Sequence, residues 1–457
     1  MKALKNPLAS TKLEKVLYSI GDIGGNIVWS FMTSFLTLYY TDSVGLSAAF
    51  AGTMMLVCRF LDGLSDVAMG AVIDKTRARW GKARSWLLFS TIPLGLAFVA
   101  VFNVPTGLAA SGKNVYAFIT YFLLTVVCYT ASNIAYHALL QRFSLTSQDR
   151  SVVSVVRTIF SVAAIMVINV VTPIALMSLG GEDKQRSWTI LVLAFAALAV
   201  VCLFITFFGV KEKLSAEATD GGEKKTRTPL VPALKALLSN RYFYITISLF
   251  LTFYITSGSS GIGIYYARDV LGDANLYGIL SIISVIPMFV IMPIVPPLFK
   301  KFGKRNTMIG GLLLGIAASL ITLINPHNAA LFIGMSVLRS AASMPLSVAL
   351  FTFAGDIVDY NDMKSGMRTE GIATSANSIG QKLGTGLGAA LLGWFLAWGK
   401  YDGMASVQPE SAIQAMIFMG VVLPIIVFAI AVVLLLFWNL EKYQQQVQEY
   451  LSGKTNK

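Results

Sequence analysis

AAFAGTMMLVCRFLDGLSDVAMGAV, residues 48–72, is an apolar stretch long enough to cross a bilayer, yet it carries Arg59, Asp62 and Asp66. A charge at the centre of a membrane helix costs roughly 2.5–3.5 kcal/mol on insertion scales, so three in one span need a purpose. Spacings of three and four residues place all three side chains on one helical face. That face must meet a partner helix, a bound cation or water rather than lipid. A buried ion pair accounts for Arg59 and one aspartate. The second carboxylate is surplus, and oxygen ligands with net negative charge are what a Na⁺ or H⁺ site requires.

The rest of the chain has the same character. Of 457 residues, 55% are hydrophobic and only 13% charged, with mean hydropathy +0.68. A soluble domain carries about 25% charge. Apolar runs near the spanning length of about 20 residues fall at 16–40, 46–71, 85–103, 115–140, 152–178, 188–209, 242–267, 277–299, 307–324, 328–355, 371–398 and 412–438. They predict an all-α membrane protein with twelve transmembrane helices. Residues 1–15 are polar and basic and the first apolar run is of full length, so no cleavable signal peptide is expected.

The net charge of +13 is explained by where it sits. Outer loops hold only Lys113, Lys184, Arg186, Arg268 and Lys400, while Arg59, Arg157, Arg339 and Lys382 lie inside spans. Most of the remaining Lys and Arg fall in the inner segments, which puts both termini in the cytoplasm. The basic balance therefore reports topology, and no nucleic-acid partner is expected. Cys58, Cys128 and Cys202 lie within spans without metal-ligand spacing, so no disulfide framework is expected. His137 and His327 are the only histidines, and no nucleophile elbow or nucleotide loop is present. The chain does not read as an enzyme: no catalytic residue, no cofactor and no metal is expected beyond a co-transported H⁺ or Na⁺.

The polar, Gly-containing segment 210–241 divides residues 1–209 from 242–440, with a tail at 441–457. GAVIDKTRARWGKAR (70–84) and PPLFKKFGKRN (296–306) occupy the same place in each half, and each carries a Gly–Lys pair. This is the plan of two pseudo-symmetric six-helix bundles, the major facilitator fold. In the first of these loops Gly70 would permit close helix approach and Asp74 would accept from helix ends or basic neighbours, a gating role.

Polar residues inside the other spans extend the pattern. Tyr129, Asn133 and His137 recur every four residues, a stripe suited to sugar hydroxyls, or else to interhelical hydrogen bonds of about 0.6–2 kcal/mol each. Asp22 and Asn26 sit one turn apart beside Gly21, Gly24 and Gly25, which suggest close packing. Arg157 lies about two turns into its span. Lys382 stands among small residues and should face a cavity or a carboxylate, and Arg339 reads as a structural ion pair. The loop 355–371, with Asp356, Asp359, Arg368 and Glu370, is dense enough in charge for a cytoplasmic gate.

YSIGD (18–22), YYTDSVGL (39–46), RFLDGLSD (59–66), TRARWGKARSW (76–86), YTASNIAY (129–136), DIVDY (356–360) and GMRTEGIA (366–373) together resemble the glycoside–pentoside–hexuronide:cation symporter family of the major facilitator superfamily. The resemblance covers nearly the whole chain. It implies a cation site at Asp62 and Asp66, supported by Thr130 and Asn133. It implies a sugar pocket lined by Asn26, Tyr129, Asn133, His137 and Arg157, and places Lys382 in a polar cavity of the second half. Asp22 and Arg59 are then gating or structural groups. Melibiose-type members carry aspartates where this chain has Asn26 and Asn133, and a tryptophan in place of His137. The missing carboxylate at Asn133 leaves Na⁺ one strong ligand poorer and keeps H⁺ equally open. The expectation is a monomeric secondary symporter of the bacterial cytoplasmic (inner) membrane, importing a glycoside, pentoside or hexuronide with H⁺ or Na⁺ by alternating access. A lysolipid transporter of the same fold and a non-transporting sugar sensor are the alternatives.

Overall fold

The computed structural model describes residues 10–144, 147–181, 184–213, 240–365, 370–405, 407–443, 446–447 and 449–450, and among them helix is the only regular secondary structure. Two compact units form: residues 1–223 with 400–409, and residues 224–399 with 410–457. The first contains α1 (Lys12–Leu38), α2 (Ala48–Lys75), α3 (Lys82–Val101), α4 (Ala110–Phe143), α5 (Ser147–Ser178) and α6 (Gln185–Gly209). The second contains α7 (Arg241–Val270), α8 (Leu276–Ile291), α9 (Val295–Phe302), α10 (Lys304–Ile324), α11 (Ala329–Ser365), α12 (Glu370–Trp398) and α13 (Glu410–Leu436).

Among the described residues, eight helices are long and apolar enough to cross a membrane, and nine if α8 and α9 form one span. α1, α2 and α12 are not among the eight, and they carry Asp22 and Asn26, the Arg59–Asp62–Asp66 triplet, and Lys382. Thr130, Asn133 and His137 on α4 and Arg157 on α5, by contrast, lie on helices that are. The eight turn apolar side chains outward, as α6 does with Leu193, Leu198, Val201 and Phe208. Two expectations change. The run 277–299 is broken by a 55° bend between α8 and α9, where Pro293, Pro296 and Pro297 remove backbone donors. The stretch read as a loop from 355 is helical to Ser365, because nothing after Gly355 interrupts α11.

Close backbone approach holds each unit together. In the first, a Cβ at Gly21 would collide with Thr206 of α6, and one at Gly24 would lie 2.7 Å from the Ala199 carbonyl oxygen. In the second, Gly380, Gly384 and Gly388 repeat at every fourth residue of α12 and meet the carbonyls of Ile247, Leu251 and Ile255 on α7. Small residues at this spacing let helix backbones approach where hydrophobic burial supplies no driving force between helices in lipid. Phe31 centres the aromatic core of the first unit, packed against Phe35, Phe98, Phe102 and Phe195. Trp438 fills the corresponding role beside Tyr242 and Phe353. The three cysteines are free and buried.

The echoed Gly–Lys pair has a structural counterpart. Gly81 (φ +108°) precedes α3 and Gly303 (φ +81°) precedes α10, both in the left-handed region that favours glycine. Just beyond them, Arg84 donates to the Phe207 carbonyl (2.6 Å) near the end of α6, and Arg305 donates to the Leu435 and Leu436 carbonyls (2.9 and 2.8 Å) at the end of α13. In each unit a guanidinium from the first turn after the glycine thus reaches carbonyls near the end of that unit's last helix, where a cation also offsets the helix dipole.

The first of these loops differs from expectation in detail. A Cβ at Gly70 would meet open space, so no close approach accounts for that glycine. Asp74 is exposed, and its backbone carbonyl, not its carboxylate, accepts from Lys82 Nζ (2.9 Å). Glu212 is the acid that organises this end. Its carboxylate accepts from the N–H groups of Lys82, Ala83 and Arg84 (3.2, 2.8 and 2.9 Å), closing the start of α3, and lies 3.6 Å from Arg142. It falls in the segment 210–241 read as linker, of which 214–239 lies outside the described residues.

The glycine contacts separate structural from dispensable positions. Gly21→Val and Gly384→Val should each destabilise the protein by about 1–3 kcal/mol through overpacking. Gly25→Ala, where a Cβ meets nothing within 4 Å, should be neutral or stabilise by about 0.5–1 kcal/mol. Thermal unfolding of the detergent-purified variants reads the difference.

Candidate substrate and cation site

Asp62 and Thr130 are joined because a π-helical turn precedes the threonine. α4 is wound as a π turn over Leu123–Tyr129, and such turns often mark functional positions. The turn delivers the buried Thr130 hydroxyl to Asp62, where it donates to Oδ1 at 2.7 Å. Ser65 Oγ lies 3.2 Å from Thr130 Oγ1 and 3.0 Å from the Asp62 carbonyl oxygen. Two hydroxyls from two helices therefore converge beside one buried carboxylate.

Arg59 is held on the other side of Asp62. Its Nη1 lies 3.6 Å from Asp62 Oδ2, and both side chains are nearly sealed from solvent, at 4% and 3% exposure. At that distance the contact is an ion pair without a hydrogen bond, and Nη1 has no acceptor. The guanidinium carbon sits 4.0 Å above the Trp29 ring, a cation–π contact of the kind worth about 2 kcal/mol or more when desolvated. Trp29 in turn packs on Tyr129, with ring centroids 5.6 Å apart. Tyr129 is within electrostatic range of Asp22, Arg59, Asp62 and Asp66, so α1, α2 and α4 meet around it. Asp66, half-buried, follows Asp62 by one turn.

A second polar group joins α1, α4 and α5. Arg157 Nε lies 3.8 Å from Asp22 Oδ2, and Arg157 Nη1 lies 3.0 Å from His137 Nδ1. Since arginine only donates, that ring nitrogen is the acceptor and the imidazole is neutral with its proton on Nε2. Asn26 Nδ2 donates to the Asp22 carbonyl of its own helix (2.8 Å), leaving the amide oxygen for a ligand. Asn133 is half-buried and makes no hydrogen bond among the described residues. Asp22, Asp62 and Asp66 stand with Arg59 and Arg157 in this part of the first unit, three formal negative charges and two positive.

The first unit thus contains Asp22, Asn26, Arg59, Asp62, Asp66, Tyr129, Thr130, Asn133, His137 and Arg157. Lys382 belongs to the second unit, on α12. There Asp356 accepts from Lys304 Nζ at 2.8 Å, and Asp359 lies nearly one turn further along α11. Arg368 lies outside the described residues, as does the side chain of Glu370, whose backbone starts α12. Arg339, read as a structural ion pair, has no carboxylate partner among the described residues. Its Nη1 donates instead to the Gly420 carbonyl (2.9 Å). The sequence reading missed Trp29 and Ser65. Both were accessible to periodicity, Trp29 lying seven residues after Asp22 and Ser65 three after Asp62.

Comparison with known proteins fits this geometry. Residues 17–442 match the family described as MFS/sugar transport protein, and the chain belongs to that family. It is 29% identical over 446 residues to the isoprimeverose transporter of Lactiplantibacillus pentosus, covering 96% of this chain and 91% of that one. It is 28% identical over 443 residues to the inner membrane symporter YicJ of Escherichia coli (94% and 92% covered). A glucuronide carrier protein homolog of Escherichia coli matches at 28% over 396 residues (86% and 85%). Among solved structures, the nucleoside transporter NupG aligns with TM-score 0.65 over 93% of this chain and 99% of its own, at 13% identity, which shows the fold alone. The protein is an integral inner-membrane transporter of the major facilitator superfamily, of the sugar-transporting type.

The Arg59–Asp62 pair gives a test of the site's internal energetics. Arg59→Met removes the buried counter-charge 3.6 Å from Asp62 and should cost about 3–5 kcal/mol. Combining it with Asp62→Asn should recover part of that loss. A double-mutant cycle of thermal unfolding in detergent reads the coupling, and simple additivity of the two changes would show that no pair interaction exists.

Proposed function

We propose that this protein is a symporter importing a glycoside, pentoside or hexuronide across the inner membrane, driven by H⁺ or Na⁺. The observation that carries the proposal is the Asp62–Thr130 hydrogen bond with a second carboxylate, Asp66, one helical turn away. Asp62 and Asp66 form the cation site, with oxygens from Thr130 and Asn133 as further ligands. Asn26, Tyr129, Asn133, His137 and Arg157 line the sugar site, and Lys382 is a substrate-binding group in a polar cavity of the second half. Arg59 is a structural counter-charge, and Asp22 holds Arg157 in position. The fold is twelve spans in two six-helix halves, 1–209 and 242–440, joined by the cytoplasmic segment 210–241, with both termini inside and the chain acting as a monomer. The names of the relatives, which include a transporter of isoprimeverose and a carrier of glucuronides, support the sugar class.

The coupling follows from electrostatics. Without a cation, Asp62 and Asp66 repel one another across one helical turn, and the polar cluster around Tyr129 is strained. A bound Na⁺ or H⁺ removes that repulsion and favours the arrangement that takes sugar. Linkage is reciprocal, so sugar tightens cation binding by the same factor. Alternating access then exposes the loaded site to the cytoplasm.

Asp62→Asn and Asp66→Asn should each abolish gradient-driven accumulation in proteoliposomes while leaving sugar binding or exchange measurable. Full accumulation in both variants would refute the cation assignment. Restoring a carboxylate with Asn133→Asp should raise the Na⁺ dependence of uptake, measured with Na⁺ and H⁺ gradients imposed separately on labelled glycosides, pentosides and hexuronides. Unchanged ion dependence would remove Asn133 from the cation site.

A further inference from the structure

Arg339 takes no part in the cluster described above. It lies on α11 in the second unit, and among the described residues no carboxylate offsets its charge. One of its bonds has a clear origin: four residues after Gly420 stands Pro424, which has no N–H to give the Gly420 carbonyl, and Arg339 Nη1 supplies the donor at 2.9 Å. Nη2 reaches Ser336 Oγ at 3.4 Å. Those are two of the five N–H donors of a guanidinium. A tether between α11 and α13 needs only the first of them.

Arg339 also borders a cavity. The space, about 340 Å³, is an open pocket bordered by α7, α8, α11 and α13, with all its lining residues in the second unit. Ser336, Arg339, Ser340 and Ser343 follow the i, i+3, i+4, i+7 pattern, so one face of α11 supplies a cation and three hydroxyls to it. Thr256 of α7 and Ser281 of α8 add hydroxyls from the other walls. Tyr266 and Phe332, stacked with centroids 4.0 Å apart, close one side with aromatic surface. The volume is at the low end for small-molecule sites, about 300–1,000 Å³, and suits a monosaccharide-sized ligand rather than a two-chain lipid.

We propose that this cavity is a second ligand site, selective for a small polyhydroxylated carboxylate, a sugar acid. The planar guanidinium matches a planar carboxylate through two parallel N–H bonds, which a point charge would not. Thr256 and Ser343 already donate to carbonyls of their own helices, so their oxygens are left to accept from a polyol's O–H groups, and aromatic faces cover the C–H side of its ring. A charge that is costly to place in a span is then retained to select anionic over neutral ligand. The site is separate from the Arg157 cluster and stands whether or not that cluster binds the transported sugar.

Equilibrium binding of labelled glucuronate and glucose to the detergent-purified full chain, with no ion gradient, tests this directly. Wild type should prefer glucuronate. Arg339→Gln should weaken glucuronate binding at least tenfold and change glucose binding less than twofold, with Arg339→Lys intermediate. Ser340→Phe, which fills the cavity without removing the Arg339–Gly420 bond, should also abolish the preference, and it decides the matter if Arg339→Gln fails to fold. Glucuronate affinity within twofold of wild type in Ser340→Phe, or no preference in wild type, overturns the proposal. Glycerol 1-phosphate binding in an Arg339-dependent way while glucuronate does not would overturn the sugar acid and assign the cavity to a lipid phosphate. Because no transport is measured, failure of the symport reading leaves this result unaffected.

Discussion

The cost of burying the Asp62 carboxylate is the constraint around which the first unit is organised. A desolvated carboxylate has to find a counter-charge, hydrogen-bond donors or a bound cation. Arg59 supplies the charge at 3.6 Å and Thr130 the hydrogen bond at 2.7 Å. Each in turn requires support. Arg59 lies on the Trp29 ring, which fixes α1 beside α2, and Thr130 is brought into reach by the π turn in α4. Three helices are thus registered against one another by one group. Asp66 follows Asp62 by one turn on the same helix, so a second carboxylate stands close to the first.

The two units solve the same packing problem with the same devices. Without a hydrophobic force between helices in lipid, close approach depends on missing side chains. Gly21 and Gly24 provide it between α1 and α6, and Gly380, Gly384 and Gly388 between α7 and α12. Each unit also closes its last helix with an arginine from the loop that follows a left-handed glycine. The repetition extends to intramembrane arginines that lack a hydrogen-bonded carboxylate: Arg59 rests on a tryptophan, and Arg339 on a carbonyl freed by Pro424. In both cases a neutral group helps to fix the guanidinium, although Arg59 also faces the Asp62 carboxylate.

Much of this was legible in the residues. The Asp22–Asn26 and Asp62–Asp66 spacings, the Tyr129–Asn133–His137 stripe and the isolated Arg157 mark their helices because a polar group within a span is costly enough to be rare. Periodicity on one helix reveals which residues share a face, so Trp29 and Ser65 were within its reach. It carries nothing about which face meets which. That Arg157 bridges Asp22 and His137, or that Glu212 closes the start of α3 from the far end of its unit, depends on contacts more than a hundred residues apart for Glu212. The absent carboxylate beside Arg339 is of the same kind, since an ion pair read from one helix has no means of naming its partner.

The sequence alone determined that the chain lives in a membrane, which spans carry charge, and that Asp62 and Asp66 form one face with net negative character. Those conclusions rest on composition and helical period, both local properties. Tertiary structure decided that Thr130 and Arg59 divide Asp62 between them, that the proline-bounded bend breaks one apolar run into α8 and α9, and that a hydroxyl-lined cavity borders Arg339. These depend on how separate helices are registered, and registration is set by glycine seams and desolvated polar groups acting across the unit. The triplet in residues 48–72 thus announces that a charge must be answered, and only the packed helices show by what.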